Sequence, residues 1–232
     1  MIERRPFAGL GRFRNEWLDA HHHFSFGDYY DPRRMSVGKL RVWNDDRINP
    51  GTGFPPHPHR DMEIITYVRK GAITHEDSLG NRGRTEAGDV QVMSAGTGIR
   101  HAEYNVEDEP TELFQIWIEP ARRGVAPRWD AKPFPKGDRS GRWVTLASGR
   151  PDGGDALAIH QDAAVLGATL LAGQSLDYAL AAGRNGYMVA PKGRYTVDGE
   201  TIEARDGVVL AGGENHRITA LEDTELVLVD VP

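Results

Sequence analysis

The sequence contains no cysteine. That excludes disulfides, thiolate nucleophiles and sulfur-ligated zinc or iron–sulfur sites, and it leaves histidine and carboxylates as the strong metal ligands. No run approaches the roughly 20 apolar residues of a membrane helix. The opening MIERRPFAGLGRF has an Arg pair with no apolar stretch behind it, so neither a Sec nor a twin-Arg leader is expected and the chain reads as cytoplasmic. Net positive charge is missing as well. At −6, with basic residues only in local clusters such as Arg4-Arg5, Arg33-Arg34 and Arg122-Arg123, there is no overall field to concentrate a polyanion. Neither direct nucleic-acid binding nor an anionic membrane is expected.

Sustained helical periodicity is scarce too, with brief turns suggested only near Glu16 to Ala20 and Asp162 to Ala164. What the chain has in quantity is glycine (27) and proline (14). They separate short segments rich in Val, Ile, Tyr and Trp, among them Lys39 to Trp43, Met62 to Val68, Val90 to Met93 and Leu113 to Ile118. Such segments are too short for long helices, and the pattern predicts an all-β sandwich or barrel. With 39% hydrophobic and 27% charged residues over 232 positions, the composition supports a real core.

Glu119 to Arg142 carries Pro120, Pro127, Pro133 and Pro135 among many charges. It reads as a surface connector and divides the chain into residues 1–130 and 131–232. A second series of strand-like segments follows: Val165 to Leu171, Tyr187 to Ala190, Gly193 to Val197, Val208 to Leu210 and Leu226 to Val229. The halves share a Lys-Gly turn and a later Gly-x-x-His: Lys70-Gly71 with Gly98 to His101, and Lys192-Gly193 with Gly213 to His216. The interval shrinks from 27 positions to 20, as expected if the second copy lost a hairpin tip like that around Asp77 to Asn81. This is a diverged internal duplication.

Two segments of the first half carry the chemistry. In PPHPHRDME and GTGIRHAEYN, alternate strand residues share a face, so His57 pairs with His59 and His101 with Glu103. If both strands face one barrel interior, three imidazoles and a carboxylate converge, a set suited to iron, manganese, nickel, cobalt, copper or zinc. Glu63 has the same parity as His57 and His59 and competes with Glu103, one serving as ligand and the other orienting a histidine. Parity does not choose between them. His21-His22-His23 diverge on an extended segment and read as surface or packing residues, and His75, His160 and His216 lack ligand-spaced companions and read as structural. In the ungapped register of the second copy, Ala179 and Ala181 replace His57 and His59, and Ile218 stands for Glu103. The second half is therefore expected to bind no metal.

The segments HHFSFGDYYDPRRM, LRVWNDDRI, GFPPHPHRDMEIITYV, MSAGTGIRHAEYN and LFQIWIEP, in order over about residues 17 to 120, resemble the pirin family. The closer likeness is to its bacterial quercetin 2,3-dioxygenase members, and the second half resembles their C-terminal cupin more weakly. The resemblance implies a bicupin, two jelly-roll-like β-barrels in tandem, with one divalent metal ion per chain, usually iron as Fe(II), in the first. It also implies the ligands His57, His59, His101 and Glu103, and so decides against Glu63 as a ligand. Glu63, Asn105 and Gln115 are then candidates for the shell around those ligands.

The family includes enzymes and iron-dependent regulators, so two functions are expected in competition. One is cleavage of a flavonol such as quercetin by O2 with release of CO, Glu103 accepting the substrate's hydroxyl proton. The other is a non-enzymatic metal or redox sensor that docks a protein partner.

Overall fold

A computed structural model describes residues 2–232. Its strands in the first half are β1 (Ile2–Arg5), β2 (Gly11–Arg14), β3 (Leu18–His22), β4 (Leu40–Ile48), β5 (Thr52–His59), β6 (Glu63–Lys70), β7 (Ala72–Asp77), β8 (Arg82–Glu86), β9 (Val90–Ser94), β10 (Ile99–Asn105), β11 (Thr111–Ile118) and β12 (Arg128–Lys132). Those of the second half are β13 (Val144–Ser148), β14 (Leu157–Ala158), β15 (Ala164–Leu170), β16 (Ser175–Leu180), β17 (Asn185–Lys192), β18 (Tyr195–Val197), β19 (Glu200–Ile202), β20 (Gly207–Ala211), β21 (Glu214–Ala220) and β22 (Thr224–Val231). Among the described residues, helical structure is limited to three short 3-10 turns. None of it is long and apolar enough to cross a membrane.

Strand order reveals the duplication directly. In the first half a seven-stranded sheet, β12-β9-β6-β11-β4-β3-β2, accompanies a four-stranded one, β5-β10-β7-β8. In the second half the corresponding sheets are β1-β20-β17-β22-β15-β13-β14 and β16-β21-β18-β19. The inner order β9-β6-β11-β4 matches β20-β17-β22-β15, and the two four-stranded sheets match strand for strand. Each half is thus built on the same double-sheet barrel, antiparallel except for the short parallel pair β13–β14, in keeping with jelly-roll and cupin architecture. The hairpin tip did shorten: β7 and β8 are joined through Ser78 to Asn81, whereas β18 and β19 need only Asp198 and Gly199. Both of these have positive φ (51° and 88°), the conformation of a two-residue hairpin turn.

The two expected helical turns are not there. Leu18–His22 is a strand with alternating burial, bonded between β2 and β4, and Asp162 to Ala164 leads into β15. In both cases sheet pairing outweighs weak local preference. Two edge strands also cross the expected division. β12 lies inside the proline-rich connector, pairs with β9 and has residue 130 at its centre. β1 pairs with β20 in the second half's sheet. An edge strand needs a ladder on one side only, so proline-rich, charged flanks do not prevent it.

The large sheets of the two halves pack against each other. On β6 the odd positions Ile65 and Tyr67 join a shared cluster, as do Phe114 and Ile116 of β11, with Trp43, Tyr187, Val189, Val227 and Val229. The even positions of β6 line the first barrel's interior. β6 and β11 are therefore covered on both faces, which is why they read as near-continuous apolar runs. Polar links cross the same interface. Arg205 Nε donates to Asp45 Oδ2 at 2.6 Å, and Tyr67 bonds the buried Glu225, which Lys136 Nζ of the second half also reaches at 2.6 Å.

Candidate metal centre

β5 and β10 lie side by side, with His57 directly opposite His101 and His59 opposite Ile99. Beyond that point the register shifts, so that Glu103 faces Phe54. The extra residue falls at Pro55-Pro56, which have no N–H to give a ladder and so favour a bulge. The bulge sets His57, rather than Pro56, against His101. Ring nitrogens of His57, His59 and His101 lie within 4.8 Å of one another, and His59 packs edge-on against Trp117.

The neighbours constrain the ring protons. The Pro55 carbonyl accepts from His57 Nδ1 at 2.8 Å, which leaves His57 Nε2 turned to the cluster. Asp77 Oδ2 accepts from His75 Nε2 at 3.0 Å, and His75 Nδ1 lies 3.4 Å from His101 Nδ1. The Nε2 atoms of His57 and His101 face each other at 3.1 Å. Two ring nitrogens at that distance share a cation, a proton or a metal ion, and the spacing suits neighbouring ligands with metal–nitrogen bonds of about 2.0–2.1 Å. Burial, then the other imidazoles, lowers His59 to about 4, and burial followed by His57 and His75 lowers His101 to about 3. Neutral imidazole is the ligating form. The residues present therefore fit a divalent metal.

Glu103 is buried, with 2% of its surface exposed. Its Oε1 accepts from Gln91 Nε2 at 2.6 Å and Thr66 Oγ1 at 3.3 Å, and its Oε2 from Gln115 Nε2 at 2.7 Å. Oε1 thus has both lone pairs engaged, and Oε2 has room for one further bond. Glu103 groups within 4.8 Å with His101 and His75, while His57 and His59 form their group with His101. The four residues expected at one point thus form two groups that share His101.

Gln115 lies on the Glu103 carboxylate. Two other candidates do not contact the cluster. Glu63 accepts from Ser94 Oγ at 2.7 Å and has His160 Nδ1 at 3.4 Å, so it orients none of His57, His59 and His101. Between His59 and Glu63 the chain passes through Asp61 with φ 47°, which ends β5, and β6 then enters the other sheet. Counting alternate residues across that turn is not valid. Asn105 donates to the carbonyls of Ile48 and Glu109 and accepts from Glu107 N, holding the turn after β10 instead of a ligand.

His75, Asp77 and Gln91 were missed as site residues. His75 is fully buried, stacks on Trp129 with centroids 4.8 Å apart and lies opposite Glu103 in the β7–β10 ladder. The only sequence signal was His-x-Asp at strand spacing. Replacing His75 by Ala removes the hydrogen-bond partner of His101 Nδ1. Metal affinity should fall by about 10- to 100-fold, the range for residues that orient ligands, as measured by competitive chelator titration. A variant that binds as tightly as the parent would show that His75 only fills space.

A cavity of about 490 Å³, within the size range of small-molecule sites, has none of His57, His59, His101 and Glu103 in its lining but shares Gln115 with the site. Phe13, Leu18, Phe26, Tyr29 and Phe54 supply apolar wall, and His22, Asn44, Asp46 and Gln115 supply polar groups. Through Gln115 the cavity reaches Glu103. Of the histidine run, His22 thus faces the cavity, while His23 is buried against Tyr187 Oη at 2.8 Å.

Burial, then the charges of Asp45 and Glu103, pushes the Asp46 carboxyl well above its ordinary value, against a smaller opposing pull from Arg69. The folded chain therefore keeps a proton that the unfolded chain releases as pH rises past about 4, and stability declines with pH above that point. Asp46→Asn cannot titrate, so its stability advantage should grow from pH 4.5 to pH 8 by at least about 3 °C in Tm. Parallel melting curves for parent and variant would refute this.

A double-sheet barrel with imidazoles converging from adjacent strands defines a cupin, and here the cupin is doubled. The pirin profile matches residues 4–118 and that of the quercetinase C-terminal cupin domain matches residues 145–231. A pirin-like protein of Caulobacter vibrioides is 64% identical over 230 residues, covering 99% of both chains. The quercetin 2,3-dioxygenase of Escherichia coli K12 is 40% identical over 233 residues, covering 100% of this chain and 99% of the relative. The crystal structure of the bacterial pirin YhhW from Escherichia coli in complex with nickel(II) superposes with a TM-score of 0.93 at 40% identity, covering 100% of this chain and 99% of that one. This chain belongs to the pirin family.

Proposed function

We propose that the chain is a metal-dependent dioxygenase that cleaves a flavonol such as quercetin with O2 and releases CO. The observation that carries this reading is the convergence of His57, His59 and His101, with the Nε2 atoms of His57 and His101 3.1 Å apart, together with a cavity with aromatic walls that shares Gln115 with the Glu103 carboxylate. Names of relatives, among them quercetin 2,3-dioxygenase, support the substrate class.

In this reading His57, His59, His101 and Glu103 hold one divalent ion, Fe(II) in the cell, although the nitrogen and oxygen donors also suit nickel, cobalt, manganese, copper and zinc. When bound, the ion supplies Lewis acidity toward the flavonol 3-hydroxyl and reactivity toward O2. Glu103 accepts the proton of that hydroxyl. Gln91, Thr66 and Gln115, all donating to Glu103, keep the carboxylate in place for the transfer. The apolar wall positions the substrate rings and keeps water away.

The test is anaerobic iron loading followed by oxygen-electrode and CO measurements with a flavonol panel. One CO released per O2 consumed is the expected result. A fully loaded protein that consumes no O2 with any flavonol would contradict the enzyme and favour a metal-dependent regulator that docks a protein partner.

A further inference from the structure

The cavity floor holds polar groups that the proton transfer does not use. β3, β4 and β11 are neighbours, with His22 opposite Asn44 and Asn44 opposite Gln115. Two residues further along β4, on the same face, stands Asp46. His22 Nδ1 and Asn44 Oδ1 are 2.8 Å apart, so the amide oxygen accepts, Nδ1 donates, and His22 Nε2 remains an acceptor. Asp46 is 2% exposed, and its Oδ1 is buried without a hydrogen-bond partner. Its neighbour Asp45 takes the nearby cations, bonding both Arg69 and Arg205.

An unpaired buried carboxyl is costly, and sites that retain one have commonly given up stability for a ligand. Given an aromatic substrate at the metal centre, we propose that this cavity holds the end of the substrate remote from the metal, with a phenolic hydroxyl between Asp46 and His22. A phenol donates one hydrogen bond and accepts others. Burial favours the protonated, donating form of Asp46 and, against the opposing effect of Asn44, the neutral, accepting form of His22. The floor is thus the complement of a hydroxyl. Phe54 and Tyr29 provide apolar surface for the ring that carries it. Asp46 and His22 would then be specificity-determining residues.

Quercetin and 3-hydroxyflavone share the 3-hydroxyl and 4-carbonyl that address the metal and differ in their other hydroxyls. Their dissociation constants should be measured by tryptophan fluorescence on anaerobic, metal-loaded protein. The parent should bind quercetin at least about tenfold more tightly, since a site built to bond a hydroxyl rejects the analogue that lacks it. Asp46→Leu should bring the ratio close to one by weakening quercetin alone. His22→Leu should do the same, which keeps the test open if one variant folds poorly, and Asp46→Asn should retain most of the preference. Equal binding of both flavonols by the parent, or an undiminished preference in Asp46→Leu and His22→Leu, overturns the assignment while leaving the aromatic-substrate reading intact. Failure of both flavonols to bind the parent overturns the two together.

Discussion

His101→Ala should yield a folded protein that no longer retains metal. His101 belongs to both groups of potential ligands, with His57 and His59 on one side and His75 and Glu103 on the other. No alternative set of three survives its loss among the described residues. Affinity should drop by on the order of 100-fold or more, beyond what an orienting residue contributes, and elemental analysis should fall from one ion per chain to nearly none. His57→Ala and His59→Ala should act in the same direction. Glu103→Gln should weaken binding and abolish oxygenation. Glu63→Gln, whose carboxyl meets Ser94 and His160, should leave metal content unchanged. Two tightly bound ions per chain would show that the second barrel, or the His75 group, holds a site of its own.

The other large effect is expected from cutting the chain after Arg142. The fragment keeps every proposed ligand but loses the partner of its large sheet. Trp43, Ile65, Tyr67, Phe114 and Ile116, each with essentially no exposed surface, would face water where Tyr187, Val189, Val227 and Val229 now cover them. β1 would lose β20, and Asp45 would lose Arg205. An exposed apolar face of that kind promotes aggregation. The soluble yield of residues 1–142 should collapse by at least about tenfold and be restored by co-expression of the second half. A soluble fragment with full metal content and unchanged flavonol turnover would mean that the second half is an independent module.

Much of this was legible in the sequence because strands announce themselves locally. β6, β9 and β11 coincide closely with apolar segments bounded by Gly, Pro and turns, β4 runs five residues past the end of its segment, to Ile48, and the repeated Lys-Gly and Gly-x-x-His marked two copies whose strand order then agreed. His57 and His59, and His101 and Glu103, share faces because their spacing lies within single strands. What was not legible depends on pairing between distant strands. The Pro55-Pro56 bulge sets the register of His57 on His101. The turn at Asp61 cancels the parity of Glu63. His75 becomes part of the site only because β7 lies beside β10. β1 and β12 are edge strands whose composition is that of a connector. Asp46, which carries no signal of its own in the sequence, acquires its character from being buried on β4 with Oδ1 unpartnered.

The most direct test of the central claim is anomalous diffraction from metal-loaded crystals at the metal's absorption edge. The account predicts one strong peak per chain, about 2.0–2.2 Å from Nε2 of His57, His59 and His101 and from a carboxylate oxygen of Glu103, and no peak in the second barrel. A peak held by His75, His101 and Glu103 without His57 and His59, or one placed in the second barrel, would contradict it.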